Sequence, residues 1–600
     1  MTAIRRPRLP SDTLTAVAER SRGKSGAEAT PSPDLGTFWQ NLIEAKDLIK
    51  EIPKDRFDYQ PWFGRGEEEQ DKIYCKWGSF IDDVDKFDPE FFNISPREAR
   101  TMDPQLRILL EVLYHTAENA GYEKKIKNTK TGMYVGACFH DYQQAMDLIN
   151  NKINPYYGTG NAATMLANRP SYFFNLSGPS LTVDTACSSS LVALHLACQA
   201  LKQNECEMAF VSGVNLILSS IHYRYFCSIG ALSYTGRCHT FDKNADGYVP
   251  GEGIASVLLK PLNKAKADGD RILAVIKGTA VNHGGYTPSV TAPSVKLEAE
   301  VIKDAWKNAG IDPQNMGYIE AHGTGTKLGD PVEIKALQNA FDHFNKDETK
   351  EKFCAIGSAK AHVGHTEGAA GITGLIKLIL SMQNKKIPAM PKFNEANPFI
   401  NFKDTSIYVN EKAIDWQQRN NKPRLGGVSS FGFGGAYSHV VVEESPVAST
   451  PLGHLGSRHR FKKESYWFES KPQASAKAAT FTVQEKQSTK EILRAQLKEI
   501  LQLQKEIINN QPFANFGLDS ITGLEWLKVI RNHFKIDVPN TILFDYSTIN
   551  DLSEYIEKKL GLGQVKTEPK KDYTEQIDTI LDKVDTAELS LEDVAKLMGD

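Results

Sequence analysis

Residues Gly178 to Lys202 read GPSLTVDTACSSSLVALHLACQALK, and the reading of the whole chain starts from them. Leu181 and Val183 lie in an apolar strand, a turn of small residues follows, and Leu191, Leu194, Ala197 and Leu201 recur at helical spacing. Cys187 stands at the junction, with Ser188, Ser189 and Ser190 in the first helical turn. A thiol at a helix N-terminus faces unpaired backbone N–H groups and the positive end of the dipole, which favours thiolate. The turn also lifts the sulfur out of the sheet and leaves the Cys187 N–H free to receive an oxyanion. A cysteine taken alone is more often a buried structural residue. The strand–Cys–helix junction reverses that preference, provided histidines elsewhere can reach the sulfur.

A chain of 600 residues is too long for one core, so two or more domains are expected. With 71 basic and 74 acidic residues there is no electrostatic case for nucleic acid or an anionic membrane as main partner. No apolar run reaches membrane-spanning length, and the basic N-terminus has no apolar segment behind it to make a secretory signal. Eight cysteines (Cys75, Cys138, Cys187, Cys198, Cys206, Cys227, Cys238 and Cys354) form no CxxC pair and no dense framework. They read as reduced thiols of a soluble, cytoplasmic protein without a metal site.

Residues 1–33, crowded with Arg5, Arg6, Arg8, Arg20 and Arg22 and interrupted by Pro, Ser and Gly, are expected to be mostly disordered. Residues 34–445 alternate strands and helices as an α/β layered domain does. Asp103–Gly121 predicts a helix with Pro104 in its first turn and Gly121 as C-cap. Strands are predicted at Met133–Gly136, Met208–Leu218, Ile254–Leu259, Ile272–Val281, Tyr318–Ala321 and Val440–Glu443, and helices at Val295–Asn308, Pro331–Asp342 and Glu367–Met382. Residues 446–484 have linker composition apart from Phe461–Phe468 (FKKESYWF), an aromatic cluster expected to dock back on the first domain. Residues 485–562 read as a small all-α bundle, opening with a capping box at Ser488 and Glu491. After a polar stretch, two short amphipathic helices (Glu575–Val584 and Leu591–Met598) close residues 563–600.

Three further stretches of the large domain look chemical. They are EAHGTGTKLGDPVE (320–333) with His322, SAKAHVGHTEGAAG (358–371) with Lys360 and His365, and VSSFGFGGAYSH (428–439), whose glycines can present the amide of Phe433. TACSSS, EAHGTGT, KAHVGH and FGFGG together resemble the β-ketoacyl synthase domain of modular polyketide synthases over residues 34–445. MDPQLRILLE (102–111), GRCHTFDKNADGYVPGEG (236–253) and NHGG (282–285) support the match.

The resemblance implies a thiolase-like αβαβα sandwich, usually a homodimer, that performs decarboxylative Claisen condensation. Cys187 would accept an acyl chain as a thioester. His322 and His365 would hold the malonyl thioester and promote loss of carbon dioxide, and the enolate would attack the acyl carbonyl. Backbone N–H groups of Cys187 and Phe433 would receive the oxyanion. Lys360 would organise the histidines, and Thr324 and Thr326 would bond the pantetheine arm or only shape their loop. Relatives without the first histidine merely relay chains; the presence of His322 favours elongation.

Three departures stand out. Such domains open with an apolar strand and a glycine-rich turn, and residues 1–33 offer nothing of that kind, so a missing strand, an exposed sheet edge and an aberrant, frame-shifted beginning are expected. His362 stands where asparagine is commoner. Tyr437 and Ser438 replace Asn-Ala.

FGLDSITGLE (516–525) on its own reads as a helix N-cap at Ser520. With a helix before it and FDYSTI (544–549) after it, the segment resembles an acyl carrier protein with 4′-phosphopantetheine on Ser520. A helix N-terminus suits the phosphate. Asp519 would suit the phosphopantetheinyl transferase. Trp526, a core aromatic on the plain reading, resembles a residue of carriers that serve β-branching enzymes. No acyltransferase, reductase or dehydratase is visible between the domains. FKKESYWF resembles the linker left in trans-acyltransferase synthases, so a separate acyltransferase would load malonyl groups. The last helices would dock the adjacent synthase subunit. The competing readings are a non-elongating chain-transfer domain and an inactive scaffold with carrier and docking roles only; a thiolase or cysteine hydrolase would leave the carrier segment unexplained.

Overall fold

The computed structural model describes residues 14–20, 34–64, 71–149, 155–344, 351–403, 405–447, 459–468, 488–503, 506–518, 520–539 and 541–561. The chain divides into two compact units, Met1–Thr482 and Val483–Asp600.

In the first unit, eleven strands hydrogen-bond in a single order across the described residues. From one edge they are Ile407–Val409, Cys354–Gly357, Met316–Glu320, Leu425–Phe431, Ala436–Glu444 and Ala274–His283, then Leu14–Arg20, Gly253–Pro261, Met208–Asn215, Thr131–Gly136 and Ser180–Val183. Met208–Asn215 and Thr131–Gly136 are buried along their whole length, as near-continuous apolar runs should be. The helices Ser189–Lys202 and Ala370–Asn384 pack on each other, and each also touches strands from both halves of the order. They form the middle layer, and every residue from Ala370 to Met382 is buried. Pro104–Ala120 covers one outer face against Gly253–Pro261. Val295–Ala309 covers the other against Ala274–His283, with Gly329–Phe344 beside it. The result is the αβαβα order expected. Capping is legible as well: Asp103 accepts the Gln105 N–H at the start of Pro104–Ala120, and Gly121 takes the left-handed conformation at its end (φ 73°).

The N-terminal expectation needs correction. Leu14–Arg20 is a strand, antiparallel to Gly253–Pro261 over seven residue pairs from Leu14↔Pro261 to Arg20↔Ala255, and touching Ala274–His283 at Leu14↔Ile276 and Thr15↔Val275. It therefore fills an interior place, and the edge of Gly253–Pro261 is not left open. Sheet pairing satisfies backbone N–H and C=O groups whatever the side chains, so an arginine-rich composition hid a strand. The remainder of 1–33 lies outside the described residues, as do most of 446–484 and all of 563–600 with its two expected helices.

FKKESYWF docks on the first unit as expected. Glu464–Ser465 pairs with Lys86–Phe87, the Arg107 guanidinium donates to the Tyr466 carbonyl at 2.5 Å, and Lys463 pairs with Glu111. Trp467 and Phe468 meet the ring of buried Tyr142 at 5.1 and 5.2 Å.

The second unit is a helical bundle of Thr489–Leu501, Ser520–Phe534, Ile542–Asp545 and Ile549–Lys559. The Ser488–Glu491 capping box is formed. Leu493, Leu497, Trp526, Ile530, Leu552 and Ile556 are fully buried in one apolar core.

Candidate active site

Cys187 sits where the edge strand Ser180–Val183 turns through Ala186–Ser188 into the middle-layer helix. The turn is sharp because Ala186, a non-glycine residue, holds a φ of 56°, a conformation costing on the order of 1 kcal/mol or more. Local bonds hold it there: Ala186 N–H to Asp184 Oδ1 (3.0 Å), Thr185 N–H to Ser189 Oγ (2.9 Å) and Ser188 Oγ to the Thr185 carbonyl (2.9 Å). Gly136 lets the helix approach the sheet, since a Cβ there would overlap the backbone of Ser189 and Ser190. Ser430 Oγ donates to the Cys187 carbonyl at 2.7 Å, and the Phe433 N–H lies where it lowers the Cys187 thiol. The amide expected at an oxyanion therefore stands near the candidate nucleophile.

The expected thiolate is not what the surroundings favour. Burial, and then the Glu367 carboxyl, push the Cys187 thiol up, while Lys360 and the Phe433 N–H pull the other way. Cys187 is buried, 7% exposed, and so has lost the water that would have supported a charge on its sulfur.

His322 follows the strand Met316–Glu320. Its N–H and that of Gly323 each donate to one oxygen of Glu333 at 2.7 Å, which clamps the loop. His365 follows the short helix Lys360–Val363, and its N–H donates to the Val249 carbonyl at 2.7 Å. The Glu367 N–H donates to His365 Nδ1 at 2.9 Å, so in the neutral ring Nε2 carries the proton and is a donor. The two imidazoles meet edge to face with centroids 5.6 Å apart. One donor atom each from Cys187, His365 and Glu367 lies within 4.8 Å of the others. That spacing would admit a metal ion, but the protonated Nε2 offers no lone pair to one.

Burial first, and then the nearby Lys360 ammonium, hold both histidines well below the usual imidazole range, so both rings are neutral. Lys360 is itself buried and lowered by burial, with Glu320, Cys187 and Glu333 acting in the opposite sense. Thr324 and Thr326 bond each other through their hydroxyls at 3.2 Å, and Thr326 Oγ1 accepts the Gly329 N–H. Tyr437 stands behind the site: its ring meets Phe431 at 5.2 Å, and Phe431 meets His322 at 5.8 Å. Ser438 and His362 are fully buried.

Sequence reasoning missed the carboxylates that hold this pocket. Glu320 accepts the Ala359 N–H and the Tyr318 hydroxyl and pairs with Lys377 at 2.8 Å, all buried. Asp330 accepts from the Phe241 and Gly325 N–H groups. Glu367 lies 3.7 Å from the Cys187 sulfur. The available signal was acidic residues inside glycine-rich, otherwise apolar stretches. His283, in NHGG, was also passed over; its Nε2 lies 3.1 Å from the Gly434 carbonyl and its Nδ1 accepts the Gly285 N–H, tying that loop to the Phe433 loop.

In the second unit Ser520 is the first residue of the helix Ser520–Phe534, preceded by the turn Phe513–Phe516 and Gly517 (φ 82°). Unpaired N–H groups at such an end suit a phosphate, so the position fits a phosphopantetheine ester. Asp519 lies outside the described residues. Trp526 is fully buried, its Nε1–H donating to Gln496 Oε1 at 3.2 Å and its ring edge-on to Phe513 at 5.0 Å. It is a core residue in this fold, and a partner cannot touch it directly.

Comparison with known proteins agrees with both units. Residues 26–265 match "Beta-ketoacyl synthase, N-terminal domain", 273–394 its C-terminal domain, 396–511 the ketoacyl-synthetase C-terminal extension, and 491–556 "Phosphopantetheine attachment site". The second unit is thus a carrier domain whose covalent cofactor is 4′-phosphopantetheine. The chain is 44% identical over 432 residues to polyketide synthase PksL of Bacillus subtilis, covering 68% of this chain and 9% of that protein. It is 45% identical over 410 residues to a phenolphthiocerol/phthiocerol polyketide synthase of Mycobacterium tuberculosis, covering 68% of this chain and 22% of the relative. The chain thus spans under a quarter of these relatives. A solved ketosynthase of the bacillaene synthase of Bacillus subtilis superposes with a TM-score of 0.67 at 39% identity, covering 73% of this chain and 72% of that one. An oxazolomycin ketosynthase domain of Streptomyces albus gives 0.66 at 38%, covering 72% and 75%.

Proposed function

This chain belongs to the β-ketoacyl synthases of polyketide assembly, with a phosphopantetheine carrier domain behind the synthase, and from that premise we propose that it elongates a polyketide chain by decarboxylative condensation. When bound, 4′-phosphopantetheine supplies a thiol on a long arm to which acyl groups are tied as thioesters. Ser520 would carry it.

Cys187 attacks an incoming acyl thioester and holds the chain. The N–H groups of Cys187 and Phe433 take the charge that develops on the carbonyl oxygen. His365, with Nε2–H turned outward from a bonded Nδ1, and the neutral His322 donate to the oxygen of the malonyl thioester as carbon dioxide leaves. The carbon so activated attacks the Cys187 thioester, and the chain passes to the carrier one two-carbon unit longer. Burial first, and then Lys360, keep both imidazoles neutral, and so keep them donors. Thr324 and Thr326, already bonded to each other, would line the pantetheine path.

The observation that carries this reading is the tautomer of His365 beside Cys187: a ring N–H and a nucleophilic sulfur converge, which condensation needs. The presence of His322 favours elongation over simple chain transfer. Malonyl groups would arrive from a separate acyltransferase, and the FKKESYWF linker supports that trans-acyltransferase arrangement. A homodimer, adjacent synthase subunits and, through the packing around Trp526, β-branching enzymes are the partners proposed.

The test is direct. The protein is phosphopantetheinylated, loaded with malonyl and offered a short acyl thioester. Mass spectrometry of the carrier should show the β-ketoacyl product with carbon dioxide lost. Acylated Cys187 without decarboxylation would favour chain transfer, and an unacylated synthase would leave only the scaffold.

A further inference from the structure

The Glu367 side chain has no part in the chemistry above, although its carboxyl touches the nucleophile. Oε2 lies 3.7 Å from Cys187 Sγ, and the carboxyl is 2% exposed. The residue opens the turn Glu367–Ala369 with a φ of 41°, a strained conformation for a non-glycine residue. Its N–H is spent on His365 Nδ1. One residue therefore sets the imidazole tautomer through its main chain and faces the sulfur through its side chain.

Loading Cys187 requires the thiol proton to leave, and the groups around the sulfur narrow its destination. The Phe433 N–H is a donor. His365 presents Nε2–H, also a donor, and its other nitrogen is occupied. Both imidazoles are held neutral beside Lys360, so a proton on either would be opposed. The carboxylate is the acceptor in contact.

We propose that Glu367 is the catalytic base of the loading step, resting on the reading of Cys187 as acyl acceptor. The proton passes from Sγ to Oε2 as the sulfur bonds to the acyl carbonyl carbon. The carbon–sulfur bond of the donor thioester then breaks, and its departing thiolate takes the proton from Glu367, which returns to the carboxylate. No other reactant is needed.

Burial lifts the Glu367 carboxyl to about 7, close to working pH, where a general base is most effective. The other titratable groups facing it are His222 (Nε2 3.9 Å from Oε1), His365 (Nε2 3.9 Å from Oε2), Tyr248, Cys138 and Lys360.

The experiment follows the rate at which the full chain gains a butyryl group from butyryl-N-acetylcysteamine, by intact mass. Glu367→Gln keeps the shape and removes the base. Loading should slow by roughly a hundredfold or more, and Glu367→Asp should recover most of it. If Glu367 served only to raise the thiol, Gln would lower that barrier and loading would run as fast as the parent or faster, which sinks the inference. A parent chain that never acquires butyryl on Cys187 removes the underlying reading, and this one with it. Should the Gln variant not fold, the pH profile of the parent decides. The rate should climb as Glu367 ionises near neutrality and then level, whereas a climb confined to the thiol's own higher range is the opposing result.

Discussion

In the synthase unit, Cys187, His322, Lys360 and His365 reach one pocket from three separated stretches of chain, whereas in the carrier unit Ser520 opens a single helix inside a bundle of local contacts. The difference follows from what each residue must do in the role proposed for it. Neutral imidazoles, a fixed tautomer and an amide aimed at a sulfur require burial and partners from distant strands. A tethering serine requires a helix end and room for an arm. Charge is correspondingly dense beneath the first site, with Glu320, Glu333, Asp330 and Lys377 all buried. The second rests on an apolar core whose buried polar contact at Trp526 is to Gln496.

The comparison can be broken at either end. Ser520→Ala should abolish phosphopantetheine attachment completely, read as loss of the mass increment after treatment with a phosphopantetheinyl transferase, while the synthase unit still acylates Cys187. If the increment persisted, the attachment site would lie elsewhere. His322→Ala should cost roughly 10²–10⁴-fold in β-ketoacyl formation with Cys187 acylation retained. A variant condensing at the parental rate would place decarboxylation on other groups.

Trp526→Ala should destabilise the carrier by about 3–5 kcal/mol, measured by denaturant unfolding followed through carrier-domain amide signals. An unchanged midpoint would contradict its place in the core. The smallest effect is expected at His283→Ala. Removing a loop-to-loop hydrogen bond worth about 1 kcal/mol should slow condensation several-fold by loosening the Phe433 amide, with the carrier unaffected. Parental kinetics would show that the glycine loop holds its shape unaided.

Much of this was readable in one dimension. Apolar runs located most of the buried strands to within a few residues, though not Leu425–Phe431, whose glycines and serines interrupt the run, and Asp103, Pro104 and Gly121 bounded a helix as capping rules require. Fidelity fell where backbone pairing outranked composition: Leu14–Arg20 joined the sheet interior despite its arginine-rich surroundings. The short strands Cys354–Gly357 and Ile407–Val409 lay below the length at which periodicity speaks. Among site residues, the cysteine and histidines stood out because their types are scarce and their loops rich in glycine. Glu333 and Glu367 did not, since acidic residues are common and their burial is invisible in a string.

By itself, the order of residues singled out Cys187, His322 and His365 as candidates, through motifs that resemble a ketosynthase, and showed the alternation of strands and helices and a serine at a helix start, which are properties of local spacing. Only the folded chain decided that Cys187 is held as a thiol, that His365 turns a proton outward, that Trp526 is sealed inside and that a carboxylate touches the sulfur. Those outcomes depend on which distant groups exclude water from one another, and exclusion of water is set by packing in three dimensions.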